Sequence, residues 1–165
     1  MKSRAGIGYD VHPFGTDPPL VLGGVRIDGS PALAGHSDGD VVAHAVADAI
    51  LGPTGLPDLG SLFPASDERY RDADSMALLH EVAARVVAKG WWVENVDVVI
   101  AAEQPALAPH VANMAANLVE ALAPAREPMG TGIAASVKPK RGEGIGAIGR
   151  SEGIAVWAVA MLARG

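Results

Sequence analysis

The 165-residue chain contains no cysteine, so neither a disulfide framework nor a thiolate metal site is open to it. Any transition metal must be held by His, Asp or Glu. Aromatic side chains make up only 4%, which leaves packing to Ala, Val and Leu. Basic residues are outnumbered, 13 Lys and Arg against 19 Asp and Glu, for a formal net charge of -6. That balance argues against a nucleic-acid partner, which needs a basic face. A phosphorylated substrate stays open, because a bound metal can supply local positive charge. No apolar run reaches membrane-spanning length, and the final GIAVWAVAMLARG is roughly half of what a spanning helix needs. The opening MKSRAGIGYDVH lacks the apolar core of a signal peptide, so a cytoplasmic protein with no membrane partner is expected.

Glycine and proline are abundant, at 20 and 12 residues, reserving many positions for turns and close backbone approaches. With 49% hydrophobic residues the chain can bury a core as one domain over residues 1–165. Residues 4–12 read as a strand, and PLVLGGVRI (19–27) as a hairpin turning at Gly23-Gly24. DGDVVAHAVADAILG reads as a helix capped by Asp38 or Asp40 and ended by Gly52. Residues 53–73, rich in Pro, Gly, Asp and Ser, read as a long loop. A second helix starts at Asp74 or Ser75 and stops at Gly90, and a third runs through APHVANMAANLVEALAP. Strands are expected at 93–103, with Val96, Val98 and Ile100 on one face, and at ASVKPK and GIAVWAVAML. The alternation implies an α+β fold, one sheet with helices on one face.

In GYDVHPF, Asp10 and His12 share one strand face while Val11 takes the other. A carboxylate and an imidazole side by side suit a divalent metal, and equally a His–Asp hydrogen bond without one. His44, in the second turn of the first helix, completes a set of three. Three protein ligands with an open fourth position are the pattern of a working zinc site. Taken alone, His44 reads more simply as a packed histidine on an Ala/Val helix. Asp48, one turn further on, is placed to orient a ligating imidazole. AGHSDGD puts His36 and Ser37 in a turn entering the helix, whose first N–H groups are expected to be available to an anion. Asp58 and Asp67 can hold a harder cation such as Mg²⁺ on the long loop, or serve only as turn residues.

Together GIGYDVHPF, GHSDGDVVAHAVADA, GLPDLGSLFPASD and GRSEGI stand in the order and spacing of one family. From about residue 4 to residue 163 the chain resembles the 2-C-methyl-D-erythritol 2,4-cyclodiphosphate synthases of the non-mevalonate isoprenoid pathway. The resemblance implies a metal-dependent phosphorus-oxygen lyase. It would cyclise 4-diphosphocytidyl-2-C-methyl-D-erythritol 2-phosphate through attack of the substrate's own 2-phosphate on the β-phosphorus, releasing CMP. It implies Zn²⁺ on Asp10, His12 and His44, and Mg²⁺ or Mn²⁺ bridging the α- and β-phosphates. His36 and Ser37 match the phosphate-contacting pair, His36 stabilising charge on the attacking phosphate. Asp58 and Gly60 match the loop holding the erythritol hydroxyls, and Phe63 through Asp67 the flexible segment beside it. Residues 101–108, with Ala102, Pro105 and Ala108, match a cradle for cytosine. The family is a homotrimer of ferredoxin-like subunits with active sites between neighbours. Arg150 and Glu152 match residues at the mouth of a central apolar cavity, where some members bind an isoprenoid diphosphate; an interface ion pair is the simpler main role.

Where the family often reads K-A-T-T-x-E, this chain reads KPKRGEG. Arg141, beside Lys140, replaces a phosphate-contacting threonine, while Glu143 is retained. A cation there can neutralise phosphate charge, so Arg141 joins His36 as an expected catalytic residue. Ala65 stands where FPDTD is usual, Ala106 where lysine is usual and Ala147 where an aromatic is frequent. Two other readings compete with the cyclase: a non-catalytic trimer holding an isoprenoid diphosphate, and a zinc phosphohydrolase using water as nucleophile.

Overall fold

The structure, a computed structural model, describes residues 2–16, 19–127 and 132–164. Strand β1 (Lys2–Pro13) is followed by a hairpin of β2 (Leu20–Leu22) and β3 (Val25–Ile27), then by helices α1 (Val41–Leu51), α2 (Leu59–Leu62) and α3 (Ser75–Ala88). Strand β4 (Trp92–Ala101), helix α4 (Val111–Ala121), strand β5 (Ala134–Lys140), the short α5 (Gly146–Gly149) and strand β6 (Gly153–Arg164) complete it. The main sheet runs in the order β1-β6-β4-β5. Only β4 and β5 pair in parallel, so the sheet is mixed.

Side-chain alternation decides which face is covered. Gly6, Gly8, Asp10 and His12 share one face of β1, and Ile7, Tyr9 and Val11 the other. On β6, Ile154, Val156, Ala158, Ala160 and Leu162 are fully buried, as are Val98 and Ile100 of β4, and the helices pack here. The opposite face leaves Ile7, Tyr9, Val11, Trp157, Val159 and Met161 exposed. Helix α1 lies against β1 so closely that a Cβ at Gly6 would stand 2.0 Å from the Ala49 carbonyl oxygen, and one at Gly8 1.9 Å from that of Ala45. The two glycines therefore set the distance between strand and helix.

Asp40 starts α1. Its Oδ1 accepts from the N–H groups of Val42, Ala43 and Gly23, and its Oδ2 from Gly24. One buried carboxylate thus joins the helix N-terminus to the hairpin turn, where Gly23 and Gly24 both take positive φ. Burial pushes its carboxyl upward against those backbone donors. The segment 53–73 is not the plain loop its composition suggests. It folds into helical turns at Gly52–Thr54, Leu59–Leu62 and Glu68–Tyr70, the latter two capped by Asp58 and Asp67. Turns this short carry no hydrophobic period for a sequence reading to detect.

Candidate metal centre

Asp10 and His12 leave the covered face of β1 near its C-terminal end, and α1 lowers His44 onto them. Asp10 Oδ2 lies 3.1 Å from His12 Nε2 and 3.0 Å from His44 Nδ1. The three ligand atoms fall within 4.8 Å of one another, the single such group among the described residues. Zinc bonds of roughly 2.0–2.1 Å at tetrahedral angles place neighbouring ligands about 3.3 Å apart, close to both spacings seen here. One oxygen and two imidazole nitrogens also match the donor types such an ion takes. Burial raises the Asp10 pKa, but hydrogen bonds and charge from His12 and His44 outweigh it and hold the carboxyl well below its ordinary value. Asp10 is therefore ionised at neutral pH, and the residues fit a divalent metal.

A cavity of about 360 Å³ opens beside it, lined among others by His36, Ser37, Asp48, Gly60 and Phe63. His36 Nε2 and His12 Nδ1 are buried there without a protein partner. A buried ring nitrogen left unpaired calls for a ligand atom. Phe63, 7% exposed, is held edge-on by Tyr70.

Several expectations need correcting. The first N–H groups of α1 do not await an anion, because Asp40 consumes those of Val42 and Ala43. Asp48 does not bond an imidazole; it accepts from the Leu59 N–H at 2.8 Å and so fixes the 58–60 turn against the cavity. Burial, with the nearby charges of Asp58 and Asp10, raises its pKa. The imidazole of His44 is instead met by Ser75 at 3.0 Å and Ser37 at 3.1 Å, and no local sequence signal points to Ser75, which stands 31 residues away. Asp58 is exposed and caps α2 through the Ser61 N–H, while Asp67 pairs with Arg69 at 2.6 Å. Neither is a member of the Asp10 group, and their expected role at a second, harder cation stays a proposal.

The remaining site residues gather elsewhere. Ala102, Pro105, Ala108, Lys140 and Arg141 line a second cavity of about 210 Å³ at the ends of β4 and β5. Glu103, which sequence reasoning passed over, holds Arg141 through its Oε1 at 2.5 Å and accepts the Gly142 N–H through its Oε2. Glu143 stands exposed in the following turn with positive φ, and Arg150 pairs with Glu152 at 2.7 Å. Register relates the two cavities: Asp10, Val156, Ile100 and Pro139 form one row across the sheet. Three strand spacings of about 4.8 Å put the row's ends about 14 Å apart.

A mixed Asp/His group beside a cavity with an unpaired histidine, on a helix-covered sheet, defines a protein with a candidate divalent-metal site. The particular family is settled by comparison. The YgbB family signature matches residues 3–163, and the chain belongs to that family. The 2-C-methyl-D-erythritol 2,4-cyclodiphosphate synthase of Bordetella avium is 48% identical over 161 residues, covering 98% of this chain and 96% of that one. The bifunctional IspDF of Campylobacter jejuni superposes with a TM-score of 0.90 at 37% identity, over 99% of this chain and 43% of that one. The CDP complex of Plasmodium falciparum IspF gives 0.80 at 30% identity, over 98% and 96%. No helix among the described residues is long and apolar enough to cross a membrane.

Proposed function

We propose that this chain, as one domain, is a phosphorus-oxygen lyase. It converts 4-diphosphocytidyl-2-C-methyl-D-erythritol 2-phosphate to 2-C-methyl-D-erythritol 2,4-cyclodiphosphate, with release of CMP. The observation that carries the reading is the convergence of Asp10, His12 and His44 beside a cavity holding the unpaired His36 Nε2. Those three residues would hold Zn²⁺, which when bound would supply Lewis-acid chemistry to a diphosphate. The protein's own part is positioning, which phosphoryl chemistry mainly requires. His36 donates from Nε2 to the attacking 2-phosphate, with Ser37 beside it. Asp58 and Gly60 hold the erythritol hydroxyls, and Phe63 with the segment to Asp67 closes that side. Ala102, Pro105 and Ala108 cradle cytosine by backbone groups. Lys140 and Arg141 face the α- and β-phosphates, with Glu143 and a substrate-bound Mg²⁺ or Mn²⁺ nearby.

The assembly we propose is a homotrimer of subunits that are ferredoxin-like in their layering, located in the cytoplasm. Two observations support it. The open sheet face presents six large apolar side chains, from Ile7 to Met161, a patch that soluble monomers seldom leave uncovered. Within one chain the sheet row from Asp10 to Pro139 spans about 14 Å between the two cavities, and in the proposed trimer a neighbour's second cavity completes the site. Arg150, paired with Glu152, would take an interface role at the mouth of the apolar centre, where an isoprenoid diphosphate would bind.

Product analysis tests the activity. Incubation with substrate, zinc and magnesium is expected to yield cyclodiphosphate and CMP in equal amounts. A hydrolysed diphosphate would mean a phosphohydrolase, and no turnover by zinc-loaded protein a binding module.

A further inference from the structure

We propose that Asp38 and Ser75 are positioning residues that dictate which nitrogen of His44 carries the proton, keeping Nδ1 available to the metal; this rests on the metal site proposed above. His44 faces Asp10 through Nδ1 and turns Nε2 to Ser75 Oγ at 3.0 Å. A serine hydroxyl has one proton to give, and a carboxylate has none. Ser75 Oγ lies 2.5 Å from Asp38 Oδ1, and the Ser75 N–H donates to Asp38 Oδ2 at 3.2 Å. Ser75 Oγ donates toward Asp38 Oδ1 at 2.5 Å and toward Ser37 Oγ at 3.1 Å, the ionised carboxylate being the shorter and stronger acceptor, so toward His44 this hydroxyl accepts. The imidazole must present Nε2–H to it, so a metal that displaces the proton Nδ1 shares with Asp10 Oδ2 finds its lone pair on Nδ1. Ser75 is 1% exposed, so water does not compete for these bonds. Ser37 Oγ, 3.1 Å from both Ser75 Oγ and His44 Nε2, can take a share of the same N–H. Its own proton need not point at His44.

The arrangement draws on three separate parts of the chain: α1 for His44, the turn before it for Asp38, and the first turn of α3 for Ser75. Asp38 is in addition held in place by the Asp40 N–H at 3.1 Å. The carboxylate therefore cannot swing away from Ser75 without loosening the entry to α1. What reaches the metal is thus a direction of hydrogen bonding imposed from Asp38 through one hydroxyl.

The test measures zinc affinity by chelator competition and the His44 Nε2–H resonance of the zinc-loaded protein in ¹H–¹⁵N spectra. Ser75→Ala is expected to bind zinc about 10- to 100-fold more weakly and to lose the slowly exchanging Nε2–H signal. Ser75→Thr restores both, because it restores the hydroxyl. Asp38→Asn weakens zinc as well, since its amide can donate to Ser75 and reverse the chain of bonds. Zinc binding and an Nε2–H signal unchanged in Ser75→Ala and Asp38→Asn would overturn the proposal. Loss of zinc in a folded Ser75→Thr variant equal to that in Ser75→Ala would overturn it too, by showing that side-chain fit alone matters. Should Ser75→Thr fail to fold by near-ultraviolet circular dichroism, Asp38→Asn decides. Wild-type protein that binds no zinc would instead refute the metal reading itself.

Discussion

Gly8→Ala is the sharpest perturbation of the site that touches none of its ligands. The new Cβ would stand 1.9 Å from the Ala45 carbonyl oxygen and 2.8 Å from the Ala49 nitrogen, both backbone atoms. No rotamer relieves such a contact, so restoring an ordinary separation of about 3.4 Å requires α1 and β1 to part by about 1.5 Å. His44 immediately precedes Ala45, and its Nδ1, now 3.0 Å from Asp10 Oδ2, travels with the helix. A metal site tolerates only about 0.2 Å in its bond lengths, and a 1 Å displacement of reacting groups costs about a hundredfold in rate. We expect zinc affinity to fall at least about tenfold and turnover about a hundredfold. Overpacking should cost about 1–3 kcal/mol, seen by calorimetry as a Tm lowered by roughly 3–10 °C. Gly52→Ala is the control. It sits at the end of the same helix with φ of -51° and nothing near its added Cβ, so its stability should hold or rise by about 0.5 kcal/mol. A Gly8→Ala protein with wild-type zinc affinity and turnover would refute the claim that the strand–helix approach sets the chelate.

Three further outcomes are expected. Arg141→Ala should lower kcat about a hundredfold or more if its guanidinium meets phosphate, whereas Glu103→Gln, which keeps a hydrogen bond to Gly142, should cost less than about tenfold; equal, small losses in steady-state assays would reduce Arg141 to a partner of Glu103. Trp157→Lys, placing a charge at the centre of the open sheet face, should convert the proposed trimer to monomers in sedimentation and abolish turnover; an active trimer would refute the proposed interface. For Asp10 the folded-state pKa is depressed, so its stabilisation is complete above the unfolded value of 3.8 and fades as pH falls through the folded one. Urea unfolding of metal-free Asp10→Asn should therefore lack a pH slope below about pH 4 that the wild type shows, with slopes alike near neutrality.

Much of the fold could be read locally because polar caps flank periodic segments. Asp40 and Asp74 begin α1 and α3, and Gly23-Gly24 turns the hairpin, each at an expected position. The order of the sheet was not legible. The last strand, β6, inserts between β1 and β4, and nothing in its run of Ala and Val states its partners. Alternation did place Asp10 and His12 on one face, and it also hides the reason they work: the same face carries Gly6 and Gly8, whose lack of a side chain admits the helix. Spacing proposed Asp48 as the partner of a ligating imidazole, yet the hydrogen bonds went to Ser75 from another helix. A rule of helix neighbours sees four residues along a chain, whereas packing chose a contact 31 residues away.

The departures that the resemblance implies place Ala65 at the exposed edge of the metal cavity, and Ala106 and Arg141 at the second cavity. The metal half is assembled from backbone contacts between β1 and α1, where one added methyl group collides with a carbonyl oxygen. A side chain added at that strand–helix contact disturbs the core and the chelate together. The second cavity is built on the turns that end β4 and β5, where Arg141 is exposed and Ala106 lies in an irregular segment. Charge can be rearranged at that rim with little cost to folding. Ala106 offers no ammonium group, Lys140 and Arg141 supply two cations, and Glu103 ties one of them to the turn. Glu103 then neutralises one of the two added charges, leaving Lys140 as the cation beside this cavity without a carboxylate of its own among the described ion pairs. A cation-bearing rim can still receive a diphosphate, provided Arg141 keeps the orientation that Glu103 gives it.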